Sequence, residues 1–345
     1  MSRAPAPGRA AAAVALALAL ALPAGVAAQS PVPLVPELGW ADQLTGGDDM
    51  LDVATTVAPI SSIVRNIGGD RIRLRGVVPD GTNSHTFAPS PSDAKILAAA
   101  DMLIMNGLNL ELPTLDLAES SLRPGAPIVQ LGDLTVGPDE WLFDFSFPES
   151  EGDPNPHLWM NVPYAMEYAT YVRDALSAAD PANAAAYAAN HDAYQAVLAD
   201  LDARIRAAVA TVPEASRKLL TYHDSWAYWA REYGFSVIGA VQASDFSDPS
   251  PRDVADLIDQ IRAEGVPAVF GSEVFPSDVL ERIAGESGAT FIADLRDDDP
   301  PGAPGAPGHT FLGLVRTDME IMLDALGGDV AAIFADMPTG DTWLQ

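Results

Sequence analysis

The sequence predicts an α/β protein built as two α/β lobes joined by a single long helix. Two observations carry this. Short apolar runs alternate with helix-like patterns from Leu51 to about residue 135, and the same rhythm restarts at Lys218. Between them lies the longest helical pattern of the chain, "DPANAAAYAANHDAYQAVLADLDARIRAAVATVP". Strands alternating with helices argue for parallel sheets, and in open α/β sheets ligands bind beyond the carboxyl ends of the strands. A cleft between two such lobes is therefore the expected ligand site.

Taken in order, "LDVATTVAPISSIVRNIGGD" gives a β-branched run at Val53 to Val57, then a proline, a short helix and a Gly-Gly stop. "RIRLRGVV" alternates at period two and reads as a second strand. "SPSDAKILAAAD" opens a helix with a serine cap, "MLIMNG" is a buried strand ending at glycine, and "PIVQLG" is a candidate fourth. An irregular acidic segment runs from Asp139 to Asn155.

In the long helical stretch Tyr187, Tyr194, Leu198, Leu201, Ile205 and Val209 fall on one stripe at three- and four-residue spacing. Asp180-Pro181 opens it and Pro213 closes it. After it come "KLLTYH", "SWAYWAREYG", "FSVIGAV", the capped "SPRDVADLIDQIRAEG", "PAVFGSE", "SDVLERIAGESG", "TFIADL" and a last helix at Leu312 to Leu326. A glycine-proline loop, 300–308, precedes that helix. The expected domains are a first lobe at 51–180, a linking helix at 181–212 and a second lobe at 213–345.

The ends and the composition set the compartment. Residues 1–28 combine Arg3 and Arg9, an apolar run from Ala10 to Leu22 and a small-residue pattern at Val26-Ala27-Ala28. They read as a secretory signal peptide, too short to span a bilayer. Residues 29–50 read as a flexible extension. Cleavage would leave 17 of the 19 basic residues against 48 acidic ones, a net charge of −31. Such a surface repels nucleic acid and anionic lipid and attracts cations. Cysteine is absent. Disulfides and thiolate metal sites are thus excluded, and with them a lipidated N-terminal cysteine; the expected product is a soluble, exported, periplasmic monomer.

Three of the five histidines fall at the mouths of secondary elements. His85 lies in "PDGTNSHTFAPSPSD", a loop stiffened by three prolines. His157 precedes the "LWM" turn, and His223 directly follows the strand "KLLTY". His191 falls on the helix stripe, as a packed or partly solvated side chain would. His309 follows the glycine-proline loop, a poor mount for fixed coordination. Asp294 and Glu273 close two strands of the second lobe. Imidazoles with a carboxylate at a cleft suit zinc well and manganese or iron less well. Such a site should lose affinity below about pH 6.5, where ligand histidines protonate.

The segment "VVPDGTNSHTFAPSPSDAKILAAADMLIMNGLNLE" resembles the first-lobe signature of the zinc- and manganese-binding solute receptors of ABC transporters. "DPNPHLWMNVP", "TYHDSWAYWAREYG", "DPSPRDVADLIDQIRAEGVPAVFGSE" and "ATFIADL" resemble later segments of that family in the right order, from about Asp52 to Leu326. The resemblance implies two lobes bridged by a rigid helix with one metal ion between them. It also implies the ligands His85, His157, His223 and Asp294, with Glu273 behind them. At the third position manganese receptors tend to carry glutamate and zinc receptors histidine, so Zn(2+) is the expected cargo, with Mn(2+) or Fe(2+) as the alternatives. The segment "VGPDEWLFDFSFPESEGD", where many zinc receptors are histidine-rich, holds no histidine.

The implied role is capture of a divalent ion and its delivery to the membrane permease of an ABC transporter. A secreted zinc hydrolase is the rival. Catalytic zinc keeps a position open for water, and no H-E-x-x-H helix supplies a base here. An adhesin on the same scaffold is a third class, which the residues do not separate from transport.

Overall fold

A computed structural model describes residue 1 and residues 50–242, 249–274 and 278–342. The expected signal peptide and nearly all of the expected extension, 2–49, lie outside the described residues. No described helix is long and apolar enough to cross a membrane.

The first sheet holds β1 (Leu51–Thr55), β2 (Ile72–Gly76), β3 (Met102–Met105) and β4 (Ile128–Gln130) in the order β2-β1-β3-β4. The second holds β5 (Lys218–Thr221), β6 (Ser236–Ala240), β7 (Ala268–Phe270) and β8 (Thr290–Ile292) in the order β6-β5-β7-β8. Every pairing is parallel. The two sheets repeat one topology. Inner strands read as unbroken apolar runs because helices cover both faces: all four residues of β3 are buried. The edge strand β8 has no fully buried residue.

In the first lobe the helices are α1 (Ala58–Gly68), α2 (Pro91–Ala99), α3 (Leu112–Ser121), α4 (Leu131–Thr135) and α5 (Val162–Ala179). Sequence patterning singled out neither α3 nor the 18-residue α5. The apolar residues of α5 are small or interrupted, and Asn161, whose side chain accepts the Tyr164 N–H at its start, is a quiet signal. The long helix is a 3₁₀ turn, Pro181–Asn183, running into α6 (Ala184–Thr211). Its 28 residues span about 42 Å. Tyr187, His191, Tyr194, Leu198, Leu201, Ile205, Ala208 and Val209 are its buried face, the stripe the sequence predicts.

The second lobe adds α7 (Ala227–Tyr233), α8 (Pro251–Glu264), α9 (Asp278–Ser287), α10 (Phe311–Ala325) and the short α11 (Ala331–Phe334). Both α2 and α8 start in a capping box, Ser90 with Asp93 and Ser250 with Asp253. Side-chain oxygens there satisfy amides that the first turn leaves unpaired. One continuous apolar core joins α1, α5, α6, α7 and α10, from Ile60 through Tyr168 and Leu198 to Trp229 and Phe311. Polar ties cross between the lobes above it: Trp159 Nε1 donates to the Asp297 carbonyl at 2.9 Å, and the Leu142 amide donates to Tyr228 Oη at 3.0 Å.

Candidate metal centre

Three loops carry the three histidines: those of His85 and His223 leave the ends of β2 and β5, and that of His157 follows α4. The loop after β2 is fixed at both ends. Asn83 Oδ1 accepts the His85 backbone N–H at 2.9 Å, and the Ser90 capping box locks the start of α2. Pro89 between those points and Pro79 and Pro91 just outside them remove backbone freedom, so little entropy remains to be lost when a ligand arrives. His157 follows Asn155-Pro156 and caps the 3₁₀ turn Leu158–Met160. His223 stands two residues past β5, its carbonyl accepting from Thr221 Oγ1 at 2.7 Å.

These loops bring the three imidazoles to one point. Nε2 of His157 lies 3.1 Å from Nε2 of His85 and 3.1 Å from Nε2 of His223. The three candidate donor atoms all lie within 4.8 Å of one another, and this is the one such group among the described residues. Nitrogens about 2.0–2.1 Å from a tetrahedral zinc ion stand about 3.3 Å apart. The observed spacing is close to that of a coordination shell.

The polarity of the rings follows from their outer partners. Asn155 Nδ2 donates to Asp144 Oδ2 and to the Asp224 carbonyl, both at 2.6 Å. With its amino group so committed, Asn155 must turn Oδ1 toward His157, where it accepts the backbone N–H at 2.9 Å and Nδ1–H at 2.8 Å. Gln242 Oε1 lies 3.0 Å from His223 Nδ1 and accepts in the same way. A neutral imidazole that donates from Nδ1 has its lone pair on Nε2. Two lone pairs therefore converge at 3.1 Å. That contact is repulsive until a Lewis acid sits between them.

Burial favours the neutral, ligating form. It holds His157 well below the ordinary histidine range, with His223 and His85 adding like-charge repulsion. Burial and then His223 lower His85 in the same sense. His223 is pushed down to about 4 by burial, against a raising influence from its Gln242 hydrogen bond. Proton competition therefore sets in well below the pH 6.5 expected from an unperturbed imidazole. Phe147 from the acidic segment roofs the group, its ring 5.3–5.7 Å from all three imidazoles. Trp159 stacks edge-on to His157 at 5.0 Å.

The carboxylates are arranged differently from the sequence expectation. Asp294 is not in the group: two residues past β8 its side chain is 53 % exposed and pairs with Arg296 at 2.9 Å. The chain then turns inward at Leu295. Glu273, expected behind an imidazole, directs Oε1 to the backbone amides of Asp297, Asp298 and Asp299, at 3.3, 3.0 and 2.8 Å. It is the anchor around which that inward loop folds. Two carboxylates of that loop reach the first lobe: Asp298 accepts from Ser84 Oγ at 2.9 Å, one residue before His85, and Asp299 accepts the Gly81 amide at 2.5 Å; neither joins the histidine group. Burial, with Glu273 nearby, pushes Asp298 up to about 8. His191 packs between α5 and α6, with Nε2 3.2 Å from Thr170 Oγ1. His309 is buried beside Asp80 at 3.3 Å and stands apart from the triad.

Sequence reasoning missed Asn155, Gln242, Phe147 and Asp298. Asn155 left one signal, an asparagine two residues before a histidine across a proline, where its side chain can fold back on that residue's amide. Gln242 left none, since its role depends on the pairing of β5 with β6.

A family model described as zinc-uptake complex component A, periplasmic, matches residues 53–325. The manganese-binding lipoprotein MntA of Halalkalibacterium halodurans is 26 % identical over 277 residues, which are 80 % of this chain and 88 % of that protein. The iron-binding protein YfeA of Yersinia pestis is 28 % identical over 275 residues, 80 % and 86 % of the two chains. Among solved structures, the periplasmic zinc-binding protein TroA of Treponema pallidum superposes with a TM-score of 0.73 at 27 % identity. That match covers 80 % of this chain and 99 % of the other.

Proposed function

The chain belongs to the periplasmic zinc-uptake component A family, and from that premise we propose that it is an exported receptor that captures one divalent metal ion and hands it to the permease of an ABC transporter. The observation that carries this reading is the convergence of three imidazole Nε2 atoms, two from the first lobe and one from the second. Its relatives are named for zinc, manganese and iron, so the ion must be argued from the donors. Three neutral nitrogens favour zinc over the harder manganese ion. Zn(2+) is the cargo that fits the donor set best.

Three imidazoles leave one position of a tetrahedral shell. We assign it to a carboxylate of the loop Asp294–Asp299. Asp298 supports this reading best: its oxygens lie outside the histidine group, but it accepts from Ser84 Oγ, one residue before His85. Asp294, the ligand that the resemblance implies, would first have to leave Arg296. A shell closed by four protein groups leaves no site for a reactive water, so the role is transport and not hydrolysis. Phe147 excludes solvent from the ion and so strengthens its electrostatic hold.

Competition calorimetry on protein purified without chelator, with elemental analysis, tests the assignment. The expected result is one ion per chain, with zinc displacing manganese. Tighter binding of manganese would reverse it.

A further inference from the structure

We infer that Asn155 and Gln242 are positioning residues that set how fast the site releases its cation, and that they do so by being amides. The inference rests on the reading of the triad as a metal site and goes beyond it to the rate of release.

Ligating histidines commonly donate their outer N–H to a carboxylate, a backbone carbonyl or water. A carboxylate makes the imidazole a stronger base and a stronger ligand, because a charge-assisted hydrogen bond is about twice as strong as a neutral one. Here His157 and His223 both meet side-chain amide oxygens, at 2.8 and 3.0 Å. A carboxylate is within reach of the same wiring. Asp144 lies 2.6 Å beyond Asn155 Nδ2, so the amide stands between that acid and His157. Asn155 is fully buried and Gln242 nearly so, which removes water as a competing partner. The arrangement fixes each ring with Nε2 inward while withholding the added negative charge that would deepen the trap. A storage site gains from such charge; a receptor that must surrender its cargo does not.

Gln242→Glu tests this, since it keeps shape and acceptor and adds only charge. Zinc release into excess chelator, followed by Trp fluorescence at pH 8, should slow by about 10–100-fold. Gln242→Met, which removes the acceptor, should speed release instead. A purely structural role predicts that both variants lose affinity. Equal or faster release from Gln242→Glu therefore overturns the inference. Imidazole ¹⁵N spectra of the metal-free wild-type protein give a second reading that needs no variant. His157 and His223 should both appear as Nδ1–H tautomers, and Nε2–H in either would also overturn it. Wild-type protein that takes up no divalent ion would sink the receptor reading itself; uptake with release indifferent to position 242 sinks only this inference.

Discussion

The two lobes share one strand order but furnish the site by different means. In the first lobe the ligand loops have local braces, with Asn83 holding the His85 amide, Asn155 holding His157 and prolines stiffening the His85 loop, beside ties to the second lobe from Ser84 to Asp298 and from Asn155 to Asp224. In the second lobe His223 is carried almost directly on β5, while the acidic loop Asp294–Asp299 wraps around the Glu273 carboxylate. The backbones of the three histidines are thus held by contacts two residues away in sequence. The carboxylate position is set by how a loop folds on a buried anion, and it depends on contacts more than 20 residues apart in sequence.

The sharpest way to break this comparison is to remove an imidazole from each lobe. His157→Ala and His223→Ala should each weaken zinc binding by more than about 100-fold, above the cost of losing an outer partner. His191→Ala, on the α5–α6 packing face, should change affinity by less than about threefold. Calorimetry with a competing chelator measures all three. Equal losses at His191 and His223 would mean that the triad is not the site.

The carboxylates give a smaller effect with more resolving power. Asp298→Asn should weaken zinc binding by about 10-fold, and Asp294→Asn by less than about threefold, in keeping with the two environments. The reverse order would show that Asp294 leaves Arg296 and swings inward when the ion arrives.

The difference in chemistry between the regions also has a pH signature in the metal-free protein. Glu111, buried and pushed up to about 7, and Asp298, at about 8, hold protons in the folded chain that the unfolded chain has released above pH ~4. Their contribution is fully present at low pH and is lost as pH rises through 7 to 8. The histidines act in the opposite sense. With His223 at about 4, stability is lost as pH falls from roughly 6.5, where unfolded histidine protonates. The melting temperature should therefore be higher at pH 6 than at pH 8. Calorimetric melts of metal-free protein across that range measure it, and a monotonic rise toward pH 8 would show that the buried acids stay ionised.

The same contrast explains what could be read from the chain. Parallel strands buried on both faces, proline-opened helices with serine caps, and the α6 stripe all leave local patterns, so the two-lobed fold was legible. So were the histidines: five in the whole chain, three of them at strand or turn ends. A carboxylate among 48 acidic residues has no such contrast. Asp294 stands at the end of its strand as an expected ligand would, yet its neighbour Arg296 supplies a partner outside the site. Whether an acid faces inward is decided by Glu273 and the three amides it gathers, which no spacing rule reports.

The smallest predicted effect isolates local bracing from fold stability. Ser90→Ala and Ser250→Ala each remove a capping box, one in each lobe, and should each cost about 1 kcal/mol in denaturant unfolding. Only Ser90 ends a loop that carries a ligand. Its loss frees the His85 loop at its carboxyl end, so Ser90→Ala should also weaken zinc binding by a few-fold, whereas Ser250→Ala should leave it unchanged. If both variants lose the same stability and neither changes affinity, the proline-rich loop is rigid without its cap, and the bracing of His85 resides in Asn83, the prolines and the Asp298 and Asp299 contacts from the second lobe.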